Sequence, residues 1–336
     1  MKKFSWQGKN GPLLIAEIGG NHEGNFNYAK KLVKLAINSG VDVVKLQLYS
    51  GDQLVNRIES KSRYKHFKKF ELNKNQHIYL AKLCKAFGVQ YLASVWDLRM
   101  LDWIDKYLKF YKIGSGDLTA LPVIKEFARR KKPIILSTGL SNLKEVNHTV
   151  NFLQKQNKIY KNKNQLAVLQ CTSCYPTGDE EVNLKVMNTL KKKTNLTIGY
   201  SHHNSGSLAL LAAYTLGAEI LEFHFTDERK GKVFRDHKIS LNHNETKDLI
   251  KNIIRIKDIL GTDIKTPTMN EIKSNNIVTF RRAIYPSKDL KSKHKIKTKD
   301  LLYLRPNHGI DARDFKKIIG KKLKKDIKYL SKFKLN

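Results

Sequence analysis

The 336-residue chain is long enough to bury one large domain plus a small one, or two medium ones, and its 40% hydrophobic content excludes a disordered chain. Its 64 Lys+Arg against 30 Asp+Glu give a formal charge of +34, but the basic residues are mostly lysines spread along the whole chain, so a solvated surface, or a field that draws in anionic substrates, is expected rather than a nucleic-acid partner. Three cysteines are too few for a disulfide framework, no apolar run approaches the length that crosses a bilayer, and the polar start Met1–Gly8 lacks a signal-type apolar region, so a cytoplasmic protein without a membrane partner is expected.

In chain order, Leu13–Ile18 is a continuous apolar run closing on Gly19-Gly20-Asn21-His22-Glu23-Gly24, a buried strand entering a Gly-rich loop. A helix follows with Ala29, Leu32, Val33 and Ala36 on one face, and Gly40 stands where a C-terminal cap belongs. Val41–Leu48 is a second strand, with Lys45 and Gln47 on one face because strand side chains alternate. The lysine-rich stretch 57–72 has little periodicity and reads as a long loop, and a helix is expected over 76–87. The cycle then repeats: strand 90–95, a helix capped by Asp97, strand 110–115, a helix through Ile124 and Phe127, strand 133–137, and a helix with Val146, Val150 and Leu153 inward. Strand 166–170 and a helix near 182–192 come next, then strands 196–204 and 219–227 around a helix at 208–216, and a last helix with Leu249, Ile253, Ile256 and Leu260 on one face.

Strands that are apolar on both faces and alternate with helices pair in parallel, and eight cycles in this length point to a (β/α)8 TIM barrel of the α/β class over 1–261. An open doubly wound sheet is the alternative, but no G-x-G-x-x-G or Walker loop supports it. After Gly261 the composition turns polar, and 262–278 reads as a linker. From Thr279 the short strand-like pieces 280–285, 295–298 and 301–304, with a helical turn at 315–319, read as a small β-rich domain over 279–336.

Barrel enzymes work at the C-terminal ends of their strands, and polar residues cluster there: Glu17, Lys45, Gln47, Ser94, Lys112, Ser115, Ser137, Ser173, Ser201, His203, Glu222 and His224. A buried ammonium needs an anion, so Lys45 and Lys112 require either a buried carboxylate, with Glu17 a candidate, or a phosphate- or carboxylate-bearing ligand. His203 and His224 close neighbouring strands; together they would suit a divalent metal acting as a Lewis acid, and apart they are two separately satisfied histidines. Cys171-Thr-Ser-Cys174 is a lone C-x-x-C, which reads as structural thiols more readily than as a redox or zinc site. His202 and His22 take no role from spacing.

Several motifs, in this order, carry a resemblance: Ala16–Gly24, Val44-Lys-Leu-Gln47, Tyr111–Gly116, Ile135–Gly139, Cys171–Thr177, Ile198–His203 and Glu222–Asp227. Over nearly its whole length the chain resembles the sialic acid synthases, the family of N-acetylneuraminate, legionaminate and pseudaminate synthases, and its tail is similar to their antifreeze-like SAF (β-clip) domain. The resemblance implies condensation of phosphoenolpyruvate (PEP) with an N-acylated aldose, N-acetylmannosamine or a diacetamido-hexose, giving a nine-carbon 2-keto sugar acid and phosphate. It implies that His203 and His224 hold a divalent metal, Mn2+ before Mg2+ or Co2+, and that Lys45, Ser94, Lys112, Ser115, Ser137, Ser173 and Ser201 bind PEP. It also implies that Glu17, Gln47, Tyr175 and Asp236 orient the sugar, that Glu222 lies near the attacking water, and that Arg305 reaches into the partner subunit's barrel in a domain-swapped homodimer. The chain departs from the family pattern at His202 (usually Asp), at Phe234-Arg-Asp236 (usually Gly-Pro-Asp), at Ser173 (commonly Asn) and at Ser94-Val-Trp96 (Thr-Pro-Phe), which leaves His202 and Arg235 without a role and the acceptor open. Two other readings stay open: another metal-dependent aldolase on a related barrel, and a non-catalytic sugar- or nucleic-acid-binding protein.

Overall fold

Strict alternation along eight parallel strands organises the first of the chain's two units, Met1–Gly261; the second is Thr262–Asn336, and the computed structural model describes residues 4–333. The strands are β1 (Gly11–Gly19), β2 (Val43–Leu48), β3 (Gln90–Val95), β4 (Tyr111–Ile113), β5 (Ile134–Ser137), β6 (Leu166–Cys171), β7 (Thr197–His202) and β8 (Ile220–His224). Hydrogen-bonded order runs β3-β2-β1-β8-β7-β6-β5-β4, with β1 paired to β8, and β3 and β4 lie side by side without a ladder, so the barrel is nearly closed. A helix follows each strand, and each apolar helix face is buried against the outward-facing strand residues, such as Leu14, Ala16 and Ile18 of β1 and Val44, Leu46 and Leu48 of β2.

The inward residues form layers. Leu13 and Ile15 of β1, Val43 of β2, Leu92 of β3, Phe110, Ile135 of β5, Leu169 of β6 and Ile220 of β8 fill the lower barrel, and Trp6 closes its floor with its ring 5.5 Å from that of Phe110. Each such side chain contributes about 1.5–3 kcal/mol by leaving water. Two residues further along the same strands the inward positions become Glu17, Lys45, Ser94, Lys112, Ser137, Cys171 and Glu222, all buried. Gly199 of β7 allows the close approach at the layer boundary, because a Cβ there would lie 2.4 Å from the Ile220 carbonyl oxygen.

Three expectations about helical segments are corrected. The stretch read as a loop over 57–72 contains a helix, Lys61–Phe70. Its inward stripe is aromatic, Tyr64, Phe67 and Phe70 at i, i+3 and i+6: Tyr64 Oη and Lys68 Nζ each bond Asp52 at 2.8 Å, and Phe67 and Phe70 enter an aromatic cluster with Tyr49, His66 and Phe234. The helix expected near 182–192 starts later, at Val186, after a turn at Asp179–Glu181, and ends at Thr194, where Asn195 takes the left-handed conformation. The 262–278 segment carries two short helices, Met269–Lys273, capped by Thr268 and Glu271, and Asn276–Phe280.

The second unit pairs β9 (Ala283–Pro286) with β10 (Leu301–Leu304) in antiparallel register, and the piece expected to be a strand at 295–298 makes only a single bridge, Lys295 to Lys322. Its own core gathers Ile284, Leu290, Ile296, Leu301, Ile310, Ile318 and Phe333. Buried Asp300 accepts from His294 Nε2 at 2.8 Å and the Lys297 amide at 2.9 Å.

Candidate active site

Parallel register assembles the mouth of the barrel. Glu17 on β1 lies opposite Lys45 on β2 and opposite His224 on β8, Ser201 on β7 lies opposite Glu222 on β8, and Gln47 lies opposite Ser94. Contacts across the interior complete a four-charge layer. The Lys45 ammonium pairs with Glu17, donates to Ser94 Oγ at 3.2 Å and lies 3.7 Å from Glu222; Lys112, reaching in from the far wall, sits 3.3 Å from Glu222. Of the two sources of counter-charge that the buried lysines required, the chain itself supplies the carboxylates, Glu222 as well as Glu17. Burial, only partly offset by Glu222, lowers the Lys45 pKa to about 8, leaving it mostly protonated at neutral pH. Burial opposes ionisation of Glu222 too, but Lys112 and Lys45 outweigh it and hold its pKa below the usual carboxylate value.

The imidazoles sit on the rim of this layer. His203 and His224 have ring centroids 5.4 Å apart, and the Tyr175 ring lies 4.2 Å from the first and 5.9 Å from the second. His203 Nδ1 lies 2.7 Å from the Thr172 carbonyl, which only an N–H can serve, so in the neutral ring it is Nε2 that carries the lone pair. Cys171 Sγ is further from the same nitrogen, at 3.7 Å. His224 Nδ1 is buried without a hydrogen bond among the described residues; Asp236 Oδ2 stands 3.8 Å away, and burial drives the His224 pKa well below its ordinary value, so the ring is neutral. Burial opposes protonation of His203, but Cys171, the Thr172 carbonyl and Glu222 outweigh it and hold its pKa above the ordinary value, so a cation there competes with a proton. With that proton displaced, the two imidazoles beside carboxylates fit a divalent cation. Among the described residues no three or more His, Cys, Asp and Glu side chains form a metal-holding group, so the remaining positions would fall to water or substrate.

The serines take distinct places. Ser137 Oγ is buried and unpaired, and Ser115 Oγ accepts from the Gly139 amide at 3.0 Å. Ser173 crowds the same glycine: a Cβ on Gly139 would lie 2.2 Å from Ser173 Oγ and 2.8 Å from Ser115 Oγ, so a larger residue would displace the serines where the loops after β4, β5 and β6 meet. A cleft of about 850 Å³ opens beside them, lined by Thr138, Leu140, Thr172, Ser173 and Val186 among others. Arg305 belongs to the second unit, where its guanidinium lies 5.9 Å from the Phe280 ring centroid.

Other polar candidates fall elsewhere. His202 faces away from His203, as strand parity requires; its Nε2 bonds the Gly206 carbonyl at 2.8 Å, its Nδ1 lies 3.3 Å from Tyr200 Oη, and burial lowers its pKa to about 4. His22 is likewise buried, with burial lowering its pKa to about 4, and its Nδ1 accepts from the Gly24 amide. Cys171 is buried beside His203 whereas Cys174 is exposed, and the cysteines are unpaired. Sequence reasoning missed two contributors, Cys171 and the Thr172 carbonyl. Alternation from Leu169 could have placed Cys171 inward; the carbonyl contact leaves no trace in residue identity.

The sequence profile of the NeuB family matches residues 32–265. The chain is 36% identical to an N,N'-diacetyllegionaminic acid synthase of Campylobacter jejuni over 94% of this chain and 97% of that one. It is 35% identical to a protein of the same name from Legionella pneumophila, over 93% and 90%. Among solved structures, the N-acetylneuraminic acid (sialic acid) synthetase of Leptospira borgpetersenii, in complex with citrate, superposes with a TM-score of 0.72 at 28% identity, over 80% of this chain and 92% of that one.

Proposed function

The chain belongs to the NeuB family, and from that premise we propose that it is a nonulosonate synthase that joins PEP to an N-acylated aldose and releases phosphate. It is a transferase that forms a carbon–carbon bond, as its named relatives are. The observation that carries the reading is the charged layer under two imidazoles: Lys45 and Lys112 beside Glu17 and Glu222, roofed by His203 and His224.

Each residue has work to do in that reaction. The ammonium groups of Lys45 and Lys112, with the hydroxyls of Ser94, Ser115, Ser137, Ser173 and Ser201, would hold the phosphate and carboxylate of PEP, its negative charge competing with Glu17 and Glu222 for the lysines. Glu17, Gln47, Tyr175 and Asp236 would orient the sugar. His203 and His224 would hold a divalent cation, Mn2+ before Mg2+ or Co2+, which supplies Lewis-acid polarisation of the aldehyde oxygen. The carbon two–carbon three π pair of PEP forms the new bond to the aldehyde carbon, the aldehyde π pair moves onto its oxygen, which takes a proton to become a hydroxyl, and carbon two is left electron-poor with its phosphate still attached. Water then adds at carbon two with Glu222 positioned to take its proton, and the tetrahedral carbon expels phosphate by C–O cleavage. The second unit is proposed as an SAF-type domain that brings Arg305 to a partner subunit's barrel in a cytoplasmic homodimer. Among the described residues no helix is long and apolar enough to cross a membrane.

The decisive assay is phosphate release from PEP with Mn2+ and a panel of N-acetylmannosamine and diacetamido-hexoses. Acceptor-dependent release is expected. Condensation of the aldose with pyruvate in place of PEP, without phosphate, would turn the reading to an aldolase, and no phosphate release from PEP with any sugar would remove it.

A further inference from the structure

We propose that Arg235 positions the far end of the acceptor sugar, its terminal amino groups donating to an oxygen substituent on carbons four to six. The inference rests on the synthase reading above and adds to it a residue that this reading leaves without work.

The argument starts from how the Arg235 segment is held. Its neighbour Phe234 packs on Gly20, where a Cβ would meet the ring at 2.8 Å, stacks on His66 at 5.6 Å and contacts Phe70 at 5.0 Å. That wedge fixes one side of the loop after β8. On the other side the Arg235 guanidinium lies over the Tyr175 ring, 4.6 Å from its centroid, and its Nε donates to Asp236 Oδ1 at 3.3 Å. Arg235 therefore bridges the loops after β6 and β8. Stacking on a ring presets the guanidinium plane, so little freedom is lost when it binds a ligand.

The free donors point to a ligand. Only Nε is engaged, the terminal amino groups make no hydrogen bond to the described residues, and the side chain is 66% exposed. The order of groups along the mouth says which part of a ligand they meet. The imidazoles come first, Tyr175 packs on His203, and the guanidinium packs on Tyr175. An acceptor whose aldehyde lies at the imidazoles extends outward along the tyrosine ring, and its distal carbons arrive at Arg235. A carbonyl of an acylamido group or a hydroxyl oxygen is the acceptor such donors take.

The test is steady-state phosphate release by the full chain with Mn2+, varying PEP and acceptor separately, for the unaltered enzyme, Arg235→Ala and Arg235→Lys. The acceptor KM should rise about tenfold in Arg235→Ala, the size expected for one charge-assisted hydrogen bond, with the PEP KM unchanged and kcat within about twofold. Arg235→Lys should recover part of the loss. With a truncated N-acetylated aldose lacking carbons four to six, the unaltered enzyme and Arg235→Ala should behave alike. An unchanged acceptor KM, a parallel rise in the PEP KM, no recovery with lysine, or an equal loss with the truncated acceptor would overturn the assignment while the synthase reading stands. No phosphate release by the unaltered enzyme with any acceptor overturns both.

Discussion

The lower and upper halves of the barrel interior are built by the same strands with the same period of two, yet they do opposite things. Below, Ile15, Val43, Leu92, Ile135, Leu169 and Ile220 form a dry core that stabilises the fold. One inward step higher, Glu17, Lys45, Lys112 and Glu222 bury four ionisable groups that a stability-driven core would not contain. Burying a charge pair in place of well-packed apolar residues seldom favours folding, so packing explains the lower layer, and the upper one is what the proposed chemistry would require.

The comparison can be broken most directly by replacing the cross-barrel pair. Lys112→Met with Glu222→Met should abolish phosphate release, a loss of roughly a thousandfold or more, while unfolding free energy stays level or rises by about 1–4 kcal/mol. A clear fall in denaturation midpoint would show instead that the pair supports the fold. In the lower layer the pattern inverts: Leu169→Ala should cost about 2–5 kcal/mol in chemical denaturation and leave the acceptor KM of the surviving folded enzyme near its original value.

Removing a single imidazole comes next. His224→Ala should lose bound Mn2+ on dialysis, read by elemental analysis, with far-UV circular dichroism unchanged; stoichiometric metal retained by that variant would show that the imidazole pair is not the site. The smallest effect is set by pH. Lys45 holds its proton below its lowered pKa of about 8 and loses it above, so kcat/KM for PEP should fall roughly tenfold per unit on the alkaline side of pH 8. A profile flat to pH 10 would show that the Lys45 charge is not used.

Much of this was legible in residue order. The alternation of apolar strands and helices indicated a barrel, and polar residues two positions beyond apolar ones marked its working end, since side-chain direction in a strand depends only on parity. Resemblance added a chemistry to those positions. The Lys61–Phe70 helix was missed although Tyr64, Phe67 and Phe70 recur at i, i+3 and i+6, because lysines crowd that short stripe and its partners Tyr49, Asp52 and Phe234 lie on other elements. The neighbouring histidines show how far parity reaches: His203 lies two residues beyond Ser201 and shares its inward face, while His202 turns outward to the Gly206 carbonyl.

By itself, then, the sequence determined which residues are inward and which strand ends carry polar groups, because both follow from local period and residue type. Only the tertiary structure decided the pairings: Lys45 with Glu17, Lys112 with Glu222 across the barrel, and Arg235 on Tyr175. The physical reason is that inter-strand register and barrel closure are collective, set by the packing of all eight strands, and parity along one strand says nothing about which side chain waits on the opposite wall.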